Sequence, residues 1–196
     1  MLKWEKVKDR VCARFVNTKY EKAELQDMPC QKFLDLTVVF YLEIPTMDGR
    51  KRGFSIDHNV MKALGQDVDG LFTQAVRNIK AEEMVILPLG EAAGMSEELS
   101  EVVGIYVMTN QDGILGTSLI LSKQARENIV ACFGEEVYLL PSSRHEFILV
   151  PVSEMIGTIK ELSQMVREIN QTLHPKDILG ETIYLLDMEG NVSIAG

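Results

Sequence analysis

Residues 137–151 read VYLLPSSRHEFILVP, two strand-forming apolar runs around the polar residues Ser142, Ser143, Arg144, His145 and Glu146. How this stretch is read decides the fold. Taken as strand, turn and strand, it demands antiparallel neighbours, because a parallel pair needs a crossover of a dozen or more residues. Pro141 limits the first strand, and serines in a turn bond nearby backbone groups, so the polarity of the centre has a local explanation.

The same rhythm recurs on both sides. RVCARFV (10–16) alternates like a strand and leads into a helical KYEKAELQDMP (19–29). FLDLTVVFYLEI (33–44) is rich in β-branched and aromatic residues, PTMDGRKR supplies a turn centred on Asp48-Gly49, and GFSI returns as the partner strand. Asp57 caps HNVMKAL, which Gly65 closes, and Asp67 or Asp69 caps a helix carrying Val68, Leu71, Phe72, Ala75, Val76 and Ile79 on one face. Segment 81–104 mixes a short apolar run with Gly, Pro and acidic residues and reads as a connection.

Beyond it, IYVMTN, QDG and GTSLIL read as strand, turn and strand. SKQARENIVACF is a helix capped by Ser122 and stopped by Gly134. SEMIGTIKELSQMVREINQTL (153–173) keeps a helical period until His174-Pro175, and TIYLLD and VSIA close the chain around a turn at residues 189–191. These elements predict an α+β fold with mostly antiparallel sheet, built from hairpin-then-helix units with helices packed on one face. The expected division is an N-terminal half at 1–87, a connection at 88–104 and a C-terminal half at 105–196, in two units or one compact domain.

Charge narrows the function. The net charge of −9 is uneven: residues 1–52 carry +3 and residues 53–196 carry −12. Such a surface repels phosphate backbones, so no nucleic-acid partner is expected, and Arg50-Lys51-Arg52 reads as a solvated turn. Cys12, Cys30 and Cys132 are odd in number and form no CxxC pattern, which fits reduced thiols in a cytoplasmic protein. The longest apolar run, LTVVFYLEIP, is far short of the ~20 residues that span a bilayer, so no membrane association is expected. Six charged residues among the first twelve argue against a secretory leader.

For chemistry, Ser142 or Ser143 with His145 and Glu146 are the candidates for a hydrolase. Acyl transfer needs a hydroxyl within reach of a base that a third group orients. Residues this close along an extended chain seldom form such a set, and the GxSxG elbow is absent. No catalytic residue is therefore assigned. Ser142, Ser143, Arg144 and His145 are instead the candidate binding residues.

His58, His145 and His174 lie one per region without HExxH spacing, so no metal site is expected. The pairs Glu82-Glu83, Glu97-Glu98 and Glu135-Glu136 read as solvated surface, since a general acid needs burial to raise its pKa. GQDVDG and GILG lack the lysine and the strand-to-helix setting of a phosphate loop, and no cofactor is expected.

With those residues in view, the chain resembles an uncharacterised domain-of-unknown-function family of gut Firmicutes, and more distantly the YtpQ-like bacterial family. The resemblance rests on residues 11–44, on YVMTN followed by GTSLILS, on VYLLPSSRHEFILVP, and on MVREIN with the later ETIYLLD. Where the family has an aliphatic residue between the serines and the histidine, this chain has Arg144, and Leu64-Gly65 stands for its Trp-Gly. The family also carries a further N-terminal helical region, so a shortened chain is expected here. The resemblance implies a layout and a cytoplasmic bacterial setting, and no catalytic residues.

The resulting expectation is a non-catalytic binding protein for a protein or small-molecule partner, with self-association as a further expectation. The hydrolase is the alternative. A second alternative, drawn from the acidic balance of residues 53–196, is an acidic protein that docks a basic partner.

Overall fold

The computed structural model describes residues 3–19, 22, 24–46, 51–92, 94 and 104–195. The chain forms two compact units, residues 1–79 and 80–196.

The first unit is organised by one long strand. β3 (Leu36–Pro45) pairs antiparallel along one edge with β1 (Val11–Val16), which covers Thr37 to Leu42. Its other edge is shared end to end by β2 (Cys30–Phe33) and β4 (Lys51–Ser55). Alternate positions bury Val11, Ala13, Phe15, Val38, Phe40 and Leu42 on one face. α3 (Val68–Arg77) packs against β1 and buries Leu71 and Ala75. Asp67 caps that helix through the Gly70 amide at 2.8 Å, and Asp57 caps α2 (His58–Ala63) through the Val60 amide at 2.7 Å.

The chain before this sheet holds a one-turn α1 (Trp4–Val7). The helix expected at 19–29 is a single 3-10 turn, Glu24–Asp27; residues 20, 21 and 23 lie outside the described residues. So do residues 47–50, and with them the Asp48-Gly49 centre of the expected turn and Arg50 of the basic cluster.

The second unit carries a six-stranded antiparallel sheet ordered β10-β9-β7-β8-β6-β5. In chain order these are β5 (Met84–Pro88), β6 (Tyr106–Asn110), β7 (Val137–Leu140), β8 (Phe147–Pro151), β9 (Tyr184–Leu186) and β10 (Val192–Ile194). On one face, Leu162 and Val166 of α6 (Ile159–Asn170) cluster with Leu140, Ile148, Val150 and Ile183. The opposite face is closed as well: Met108, Leu139, Phe147, Leu149 and Tyr184 are fully buried. There the Phe133 ring of α5 (Lys123–Phe133) meets Tyr106 edge-on at 4.8 Å between centroids. Ser122 caps α5 and Gly134 ends it with φ 70°, as their positions predict.

Three further elements differ from the sequence reading. Met84–Pro88, expected to belong to a connection, is a strand paired with β6 from Met84↔Asn110 to Pro88↔Tyr106. The compact units accordingly part at residue 79, ahead of the expected boundary at 87. The expected connection at 88–104 includes α4 (Leu89–Ala92), while residues 93 and 95–103, Glu97-Glu98 among them, lie outside the described residues.

GTSLIL is not the partner strand of β6 but a buried 3-10 helix, Gly116–Leu121. Both edges of β6 are already taken, by β5 and by β8, so no ladder is open to it. A 3-10 helix satisfies backbone groups within itself, as in Ser118 N–H to Leu115 O at 3.2 Å.

The helix expected from residue 153 starts only at Ile159. Thr158 and Glu161 form a capping box there, and Val152–Glu154 is a separate 3-10 turn.

Candidate functional site

Residues 141–146 join β7 to β8, and they do not form a free turn tip. Pro141, Ser142 and Ser143 are buried, the two serines only 2% and 6% exposed. The sequence accounts for the inner part of this arrangement. The Ser142 amide bonds Leu140 O at 2.8 Å, and its hydroxyl donates to Glu146 O at 3.1 Å. The Ser143 hydroxyl accepts the His145 amide at 3.0 Å. Both serines thus satisfy local backbone, as turn serines do.

The outer part comes from far along the chain. The carbonyl of His145 accepts two donors, the Thr109 hydroxyl at 2.9 Å and the Gly116 amide at 3.0 Å. The carbonyl of Arg144 accepts the Thr117 hydroxyl at 2.7 Å, and the Arg144 amide donates to Asp177 O at 2.9 Å. Gly116 is required here by space. A Cβ at that position would stand 2.5 Å from Thr109 Oγ1, 2.7 Å from Asn110 N and 2.7 Å from His145 O.

The imidazole is engaged at both nitrogens. Leu115 N–H donates to His145 Nδ1 at 3.1 Å. Nδ1 therefore carries no proton, the neutral ring holds it on Nε2, and Nε2 donates to Asp177 Oδ1 at 3.3 Å. Arg144 Nε lies 2.9 Å from the same oxygen, an ion-pair contact. Its direction misses hydrogen-bond geometry, which leaves that buried N–H without an acceptor. The three side chains are about a quarter to a third exposed: 24% for Arg144, 32% for His145 and 28% for Asp177.

The structure thus gathers Ser142, Ser143, Arg144, His145 and Glu146 in one place, but Glu146 contributes its carbonyl, and no hydroxyl of a described residue hydrogen-bonds an imidazole nitrogen. An acyl-transfer set needs that hydroxyl-to-base contact.

The sequence reading missed Thr109, Leu115, Gly116, Thr117 and Asp177. Thr109 and Thr117 sat in segments read as strands, where a hydroxyl carries no signal, and Asp177 followed Pro175 in a stretch with no period. Among the described residues, no group of three or more His, Cys, Asp or Glu is gathered as a metal site would require. Elsewhere, His174 Nδ1 accepts the Lys176 amide at 3.2 Å, as a local turn histidine does.

Several groups outside this site have shifted pKa values. Ser153 holds the Glu135 carboxyl below the ordinary range, first through its hydroxyl and then through its amide. Burial pushes the Tyr41 phenol up, with the neighbouring Cys12 adding to it. Burial pushes the Arg126 guanidinium down, where it donates to Gly190 O and Ile120 O, each at 2.6 Å.

No helix among the described residues is long and apolar enough to cross a membrane. No curated protein and no solved structure matches the chain. The model of a family of unknown function, DUF5688, matches residues 1–188, which include the 141–146 connection, Asp177 and β9. The chain belongs to that family.

Proposed function

We propose that this chain is a non-catalytic binding protein of the bacterial cytoplasm, and that its ligand contact is the Arg144 guanidinium beside Asp177. One observation carries the reading. Both serine hydroxyls and both imidazole nitrogens of the connection serve the fold, whereas no described residue hydrogen-bonds the terminal nitrogens of Arg144. A planar guanidinium held at its base and open at its tip suits a carboxylate or phosphate group. Three cysteines that form no disulfide are in keeping with a reducing compartment.

The test compares wild type with Arg144→Gln. Isothermal titration with carboxylates and phosphate monoesters should find a ligand whose affinity falls at least about tenfold in the variant, the size of one charge-assisted hydrogen bond. Thermal stability should stay close to that of wild type. Equal binding by the two proteins would remove Arg144 from the site. Labelling of Ser142 or Ser143 by a fluorophosphonate probe would replace this reading with the hydrolase.

A further inference from the structure

A guanidinium and a carboxylate meet most strongly through two parallel hydrogen bonds, each oxygen facing its own N–H. Arg144 and Asp177 do not meet in that way. A single oxygen, Asp177 Oδ1, lies 2.9 Å from Arg144 Nε, and Nε is buried without an acceptor. No described residue hydrogen-bonds the terminal nitrogens of Arg144 or Asp177 Oδ2. Neither side chain is wholly buried, and these unengaged atoms are not among the buried ones left without a partner, so they reach solvent.

The surroundings hold Asp177 in this orientation. His145 Nε2 donates to Oδ1 at 3.3 Å, and the Leu115 amide fixes the ring from its other side at 3.1 Å. The backbone of Asp177 is fastened as well. Its carbonyl accepts the Arg144 amide at 2.9 Å, and its amide bonds His174 O at 2.8 Å. Oδ1 thus serves the fold, while Oδ2 stands as an open acceptor beside an open pair of donors.

We infer that the ligand of this site is a free α-amino acid, its carboxylate on the terminal nitrogens of Arg144 and its ammonium on Asp177 Oδ2. This rests on the reading of Arg144 as an anion contact and adds the second group. A lone anion at Arg144 comes up against the carboxylate beside it. A ligand that carries a cation next to its anion turns that repulsion into a second contact. In an α-amino acid one carbon separates the two groups, which suits a donor and an acceptor on side chains that touch. A phosphate monoester brings about two negative charges into the acidic part of the chain, residues 53–196, whereas a zwitterion brings no net charge.

Isothermal titration of the wild-type protein with the common free α-amino acids tests it, each binder being compared with its N-acetyl derivative and its methyl ester. At least one free amino acid should bind. Its N-acetyl derivative, which lacks the ammonium, and its ester, which lacks the carboxylate, should each bind at least about tenfold more weakly, the effect of one lost charge-assisted contact. Asp177→Asn should weaken the free amino acid by a similar factor and leave the N-acetyl derivative at its wild-type affinity. The comparison of derivatives is made on wild type and so does not depend on how well the variant folds.

No binding by any free amino acid would overturn the inference. So would a derivative that binds as tightly as its parent, or an unchanged affinity in Asp177→Asn. Should a phosphate monoester or an N-acetyl amino acid bind best, and lose that binding in Arg144→Gln, the anion contact stands and only the zwitterion falls. Equal binding of the free amino acid by wild type and Arg144→Gln would overturn both.

Discussion

Two connections in the second unit join neighbouring antiparallel strands, and they are closed in different ways. The β9–β10 turn closes on itself. The Asp187 amide bonds Asn191 O at 3.0 Å, the Gly190 amide bonds Asp187 O at 3.0 Å, and the Asp187 carboxylate takes the Asn191 amide at 2.7 Å. Arg126 reaches in to Gly190 O, but the ring of bonds is complete without it. The β7–β8 connection starts the same way, with its two serines, and is then finished by Thr109, Leu115, Gly116, Thr117 and Asp177. A turn closed by its own residues depends on its immediate sequence. One closed by residues 27 or more positions away is a tertiary contact that happens to sit in a hairpin.

The two glycines at these places give the sharpest way to break the contrast, because they are needed for different reasons. Gly116 is needed for room, since a Cβ would meet the backbone of Asn110 and His145. Backbone cannot rotate aside as a side chain can. Gly116→Ala should therefore destabilise the protein by about 3 kcal/mol, the upper range for forced overpacking. Urea denaturation would measure it, and the largest exchange losses should fall at Ser142, Arg144 and His145. A loss confined to residues 109–117 would show that the connection stands without its remote donors.

How much of this was legible follows from the same distinction. The alternation of residues 11–16, the β-branched run of 36–44 and the caps at Asp57, Asp67 and Ser122 are local signals, and the corresponding elements form. MVILP carried an equally apolar run, yet its strand character depends on β6, some 20 residues on, and its acidic and glycine-rich flanks masked it. GTSLIL failed in the reverse sense. Six residues after a turn, the last three apolar, fit a buried strand or a buried helical turn alike, and the choice was made by β5 and β8 occupying both edges of β6. The site divides likewise. The two serines bonding local backbone follow from turn chemistry, whereas Asp177 under Arg144 and His145 leaves no trace in the spacing of residues.

Gly190 is needed for its conformation. Its φ is 79°, and a Cβ there would make only ordinary contacts, at 3.8 Å or more, with Glu127 and Arg126. Gly190→Ala should cost about 1 kcal/mol, the price of placing an L-residue in the left-handed region. That is well below the effect at residue 116. Equal losses at the two positions would show that space at Gly116 can be made cheaply and that the remote clasp is softer than its distances imply.

The smallest effect concerns acid. The Asp187 carboxyl is held below its ordinary value of 3.8, first by the Asn191 side chain at 3.0 Å and then by the Asn191 amide. A depressed carboxyl contributes stability that is present above 3.8 and lost as pH falls through the lower folded value. Asn191→Ala removes the larger cause and keeps the amide, so the carboxyl resonance of Asp187 should titrate at higher pH, part of the way back to 3.8. Because that turn closes on itself, the same variant should leave Leu115 and Ser142 amide protection untouched. A change there would mean that the two connections communicate through Arg126, which binds Gly190 O on one side and Ile120 O at the end of the 116–121 helix on the other.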